Sequence, residues 1–139
     1  TSGASISLAY NGAGFVQSVA NSAGRSVAYV YAGDYLQSVT TDDGKVTTYT
    51  NEAGGAPALR HALRSVTRGG TTREFTYDAR GRLATTFLAA GEQLVRCTYD
   101  SAGGVNVTDA QGTTQLFFDH HGLLARHGFP IRRGRQPDV

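Results

Sequence analysis

The chain has a single cysteine, Cys97, so no disulfide can form within it. This neither marks nor excludes an oxidising compartment. No apolar run approaches the ~18 residues that a membrane-spanning helix needs. The N-terminus carries no signal-peptide pattern, and it opens on Thr1 rather than Met, which suggests a piece processed from a longer precursor. Charge is sparse, at 17% of residues against 40% hydrophobic. That balance argues against a disordered tail and for one folded domain of 139 residues. Basic residues are few in the body. They gather only at the end, where Arg126, Arg132, Arg133 and Arg135 face one Asp138. No nucleic-acid footprint is present in the body.

Motifs for chemistry are also missing. No Gly-x-Ser-x-Gly, no Cys-His-Asp set and no phosphate-cradling glycine loop appears. His120 and His121 are adjacent, so on a strand or turn they point apart and make a poor metal pair. His61 and His127 lie far from them in sequence. Cys97 sits between Val95 and Tyr99 on an apolar face and reads as an inert, buried thiol. The expectation is a protein without catalytic residues, cofactor or metal site.

What the chain does have is 18 glycines, 7 tyrosines and 6 phenylalanines among many Thr and Val residues. This favours strands joined by tight turns. The glycines and aromatics recur in register. Tyr77, Gly81 and Leu83 in "YDARGRL" define an aromatic, a glycine four residues on and an aliphatic six on. Tyr10, Gly14 and Val16 repeat it, as do Tyr99, Gly103 and Val105, and Phe118, Gly122 and Leu124. Two copies are distorted: one at Tyr31 is a residue short, and one at Tyr49 carries an insertion near residues 53–61 before Leu63. The restart pentapeptides "VQSVA", "LQSVT" and "LRSVT" fix the register. A second glycine (Gly24, Gly44, Gly70, Gly91, Gly112) punctuates each unit, giving a period of about 20 residues, enough for two strands and two turns.

Alternation places Tyr77 with Phe75, Tyr31 with Tyr29 and Val27, and Tyr99 with Cys97 and Val95 on one apolar face. That face is expected to be buried and the other partly wet. Asp78, Asp100 and Asp119, each following an aromatic, read as turn formers rather than catalytic carboxylates. The replacement by Asn11 and Ala32 in other copies fits. In the insertion, Leu59, Ala62, Leu63 and Val66 have helical spacing behind Pro57. The matching "LRSVT" favours a long hairpin loop with strand resuming near Leu63, and one helical turn at 58–61 suits both readings.

"YDARGRL" and its companion copies resemble the YD repeats of Rhs proteins, insecticidal toxin-complex cocoons and teneurins, over roughly Ile6 to Leu124. The resemblance implies tandem β-hairpins forming one long antiparallel sheet that spirals into a shell. In bacterial members the shell encloses a toxic polypeptide, and in animal members it belongs to an adhesion receptor. Six copies are too few for a closed container, and the Asp-Pro autoproteolytic segment of the toxin-carrying members is not matched. The expected fold is therefore all-β: about six tandem hairpins in a curved or spiralling, open antiparallel sheet. The array should span residues 1–128, with a basic tail over 129–139.

The expected function is a structural or adhesive module, extracellular or at the cell surface. It would polymerise with itself or complete a larger β-shell. A fragment of a toxin-encapsulating shell and a carbohydrate-binding module are the alternatives. Neither nucleic acid nor a membrane span is expected. "NVT" at Asn106 is a glycosylation triplet, usable only if Asn106 points outward from its strand. The Arg132–Arg135 spacing resembles a dibasic processing site, or belongs to a solvated tail.

Overall fold

A computed structural model describes residues 3–52 and 54–128. The expected basic tail, with Arg132 and Arg135, lies outside them. The strands follow the repeat. They are β1 (Ile6–Tyr10), β2 (Val16–Asn21), β3 (Ser26–Ala32), β4 (Tyr35–Thr40), β5 (Val46–Asn51), β6 (Leu63–Arg68), β7 (Thr71–Tyr77), β8 (Leu83–Leu88), β9 (Gln93–Tyr99), β10 (Gly104–Asp109), β11 (Gly112–Phe118) and β12 (Leu124–Gly128). They form one twelve-stranded sheet in strict chain order, with β1 and β12 at its two ends. The sheet is antiparallel and open. The chain divides within β7 into two units, Thr1–Arg73 and Glu74–Val139.

Six hairpins run from β1–β2 through β11–β12, and each turns just after the repeat's aromatic except the third, where β5 runs past Tyr49 to Asn51. Their pairing explains the restart pentapeptides. Tyr10 faces Val16 while Ala9 faces Ser18, so Gln17 is an extra residue bulged out of β2. Gln37 is bulged in the same way between Leu36 and Ser38, and Arg64 between Leu63 and Ser65. The recurring "QSV" and "RSV" are thus the sequence mark of a β-bulge one residue after the strand restarts.

The two faces alternate as the sequence requires. Val19 lies opposite Leu8 and Val27, Tyr29 opposite Val39, and Cys97 opposite Val107, all on the apolar face. The other face is hydroxyl-rich. Thr50 and Ser65, Thr67 and Thr72, and Thr108 and Thr113 join side-chain oxygens across strands at 2.7–2.8 Å. Thr76 and Thr85 pair likewise. Such cross-strand pairs stabilise a sheet locally.

One expectation needs correcting. Among the described residues no hydrophobic side chain is fully buried. The apolar face is half-covered by its own neighbours along the sheet, because no described element packs across it as a second layer. Stability therefore comes from each hairpin against the next, as in repeat proteins. The insertion forms a 3-10 turn over Pro57–Leu59, and strand resumes at Leu63. That matches the loop reading and its single helical turn.

Candidate functional site: turns, wedges and end strands

One five-residue turn recurs throughout. The N–H of its first residue donates to the carbonyl of its fifth, and the N–H of its fourth, a glycine, donates back to the first. It is found starting at Asn11, Asn21, Thr41, Asp78, Leu88 and Asp119. It therefore occurs at both edges of the sheet, at the Tyr-Asp turns and at the second-glycine turns alike. Where the first residue is Asn or Asp, its Oδ1 also accepts the N–H groups of the third and fifth residues. Asp78 takes those of Arg80 and Arg82, both at 2.9 Å. Asp100 takes those of Ala102 and Gly104, and Asp119 those of His121 and Leu123. Leu88 makes the same backbone turn with no side-chain acceptor. The glycine thus sets the turn and the carboxylate reinforces it. Gly81, Gly103 and Gly122 all have positive φ. At Gly104 a side chain would collide with the Asp100 carboxylate.

Asp78 does more than the others. Its Oδ2 accepts from Arg82 Nε at 2.8 Å and lies 2.8 Å from Arg82 Nη2. The guanidinium so held lies 4.0 Å above the centre of the Tyr99 ring, in the next hairpin. Backbone hydrogen bonding from Arg82, then its side chain, holds the Asp78 carboxyl below the usual carboxylate range. The Tyr99 hydroxyl donates to the Leu83 carbonyl at 2.7 Å. The same device joins the first two hairpins: Tyr31 donates to the Val16 carbonyl at 2.9 Å, and its ring stacks on Phe15 with centroids 5.1 Å apart. So the tyrosine is a wedge. It sits where neighbouring hairpins part, and ties to the residue at which the previous strand restarts. Phe15 and Arg82 hold the same place, just before that restart. Sequence reading missed them, because one place filled by Phe and then Arg leaves no pattern.

Three inter-hairpin pairings share one register. Ser18 faces Ala28, Ser38 faces Thr48 and Thr85 faces Arg96. Counting three residues on from the second member of each pair gives Tyr31, Asn51 and Tyr99. The wedge place of the third hairpin is thus held by Asn51, which pairs with Leu63, and not by Tyr49, which pairs with Val66. The sequence repeat had put Tyr49 there. Tyr49 lies one pleat earlier on the same face. The insertion answers in part: His61, the one non-glycine residue with positive φ among those described, stacks on Tyr35 at 4.6 Å.

The end strands differ from the interior. On β1, Ile6 is 71% exposed and Tyr10 61%, with Leu8 also exposed. At the other end, Leu123 is 65% exposed and Leu124 54%. Leu123 and Leu124 hold the places of Phe15 and Val16, or of Arg82 and Leu83. Among the described residues, then, no hairpin stands before the Tyr10 wedge and none after the Leu124 restart site.

The remaining expectations fall as follows. Asn106 lies half-buried on the hydroxyl-rich face, paired with Thr98 and Gln115. Cys97 is half-exposed, and burial raises its thiol pKa. His120 and His121 sit in the last turn with rings 3.8 Å apart. Among the described residues no group of three His, Cys, Asp or Glu side chains converges on a metal-sized site. Among the described residues no helix is long and apolar enough to cross a membrane. No family model and no curated protein matches the chain.

Proposed function

We propose that this chain is a non-catalytic structural module, extracellular or at the cell surface, that extends its sheet by joining further repeats end to end. The observation that carries this reading is the pairing of unmet surfaces. The wedge Tyr10 stands exposed on β1, and Leu123 and Leu124, whose counterparts receive a wedge elsewhere, stand exposed beside β12. A second copy supplies each with its missing neighbour. Tyr10 of one copy then donates to the Leu124 carbonyl of the next, and packs on Leu123. In the interior register Ser7 lies opposite Arg126.

The end strand supports this. β1 reads Ile6–Tyr10, "ISLAY", with no charge, no proline and no lysine. Those are the devices that keep free sheet edges apart. Repeats of a larger β-shell, as the resemblance to YD repeats implies, fit the same edges.

Sedimentation velocity over a wide concentration range, with electron microscopy of the same samples, tests the reading. We expect species growing with concentration in steps of one chain. A monodisperse monomer at the highest concentration overturns self-assembly.

A further inference from the structure

Between β4 and β5 lies a cavity of about 250 Å³. Tyr35, Leu36, Gln37, Tyr49, Asn51 and Glu52 are among the residues that line it. It lies at the wedge place of this hairpin. Where the register sets Tyr31 and Tyr99 in other hairpins, it sets Asn51 here. The Asn51 amide, itself part of the lining, donates to the His61 carbonyl at 3.4 Å. Tyr49 forms a wall rather than a plug. His61 stacks on Tyr35 but is not among the residues that line the cavity.

We propose that this cavity is a binding site for a phenolic ring. The occupant is written in the neighbouring repeats. Tyr31 and Tyr99 show what fits between two parted hairpins: a phenol, its ring packed beside the residue before the restart, its hydroxyl donating to the restart carbonyl. In the third hairpin those two elements are present as Tyr35, on which His61 stacks, and Leu36, with Asn51 where the other hairpins have the phenol. An entering phenol stacks between Tyr35 and Tyr49 and donates to the Leu36 carbonyl. Asn51 and Glu52 supply further polar partners at the rim. Small sites of this kind are apolar, with a few placed polar groups. The proposal does not depend on end-to-end assembly, since every lining residue belongs to the first unit.

Amide chemical-shift mapping on the full chain, titrated with p-cresol, tests it. Shifts should concentrate at Leu36, Gln37, Tyr49 and Thr50, with a dissociation constant of about 1 mM. Toluene, which lacks the hydroxyl, should bind about fivefold more weakly, the worth of one neutral hydrogen bond. Asn51→Tyr fills the site from within and should abolish the response. If that variant does not fold, the wild-type shift map and the toluene comparison still decide. N-acetyl-tyrosinamide runs beside p-cresol. Equal binding of both identifies a tyrosyl side chain as able to enter, and binding of p-cresol alone identifies a free phenol. Overturning results are no saturable shift at 10-fold that concentration, shifts centred on Tyr10, toluene binding as well as p-cresol, a monosaccharide binding more tightly than either, or undiminished binding by folded Asn51→Tyr.

Discussion

At the scale of single residues, the Tyr-Asp pair is a joint in the turn. Asp78 satisfies two turn N–H groups with one oxygen and fixes Arg82 with the other. Its folded pKa is lowered, chiefly by the hydrogen bond from the Arg82 backbone. A lowered carboxylate stabilises the fold above its unfolded pKa of about 3.9, and that contribution is lost as pH falls through the folded value. We therefore expect thermal stability to decline below about pH 4, and Asp78→Asn to be less stable at neutral pH but flatter in that range. Asn keeps the turn acceptor, as Asn11 does, but loses the Arg82 ion pair. Thermal melts of both proteins from pH 2.5 to 7 would show it. A parallel pH profile in the two would remove Asp78 from this role. Gly14 tests the backbone instead. Its φ is 85° and nothing lies within 4 Å of where a Cβ would stand, so Gly14→Ala costs only conformational strain. We expect about 1 kcal/mol in urea unfolding, with Gly14→Asn losing less.

At the scale of the hairpin, the tyrosine wedge is what fastens one unit to the next. Tyr31→Phe keeps the stack on Phe15 and loses only the bond to the Val16 carbonyl. We expect a loss of about 1 kcal/mol in urea unfolding. Tyr29→Phe, on the same strand, serves as the control. An equal loss from both would mean that the hydroxyl contact carries nothing special. The hairpins themselves were legible in the sequence, because a turn glycine and an aromatic at fixed spacing are local signals. The bulge was visible too, though only as a repeated pentapeptide of unknown purpose. The wedge was not. Its acceptor is a backbone carbonyl, which has no letter in the sequence, and its stacking partner changes from Phe15 to Arg82 between copies. The shift from Tyr49 to Asn51 was hidden for a related reason. Register in the third hairpin is set by its pairing with β4 and β6, and the inserted loop breaks the spacing that local counting relies on.

At the scale of the whole molecule, the telling fact is a sheet with no fully buried hydrophobic side chain among the described residues. Alternation alone suggested a buried apolar face, since it shows which residues share a face and not what covers them. Each strand is held by the strands beside it, so the first and last are held on one side only. The proposed end-to-end extension therefore has a direction: a β1 end would meet a β12 end, and like ends would not meet. The most direct measurement pairs two single-cysteine variants in a Cys97→Ala background, one Ser7→Cys and the other Arg126→Cys, which the interior register sets opposite each other and which leave the Tyr10 wedge intact. Mixed under mild oxidation, they should give the crossed disulfide-linked dimer in clear excess over either like-with-like dimer. A chain carrying both substitutions should give a ladder of multimers. If like-with-like dimers dominate, or sedimentation shows multimers without the crossed link, head-to-tail joining is contradicted. If neither links nor multimers form at any concentration, assembly itself is contradicted.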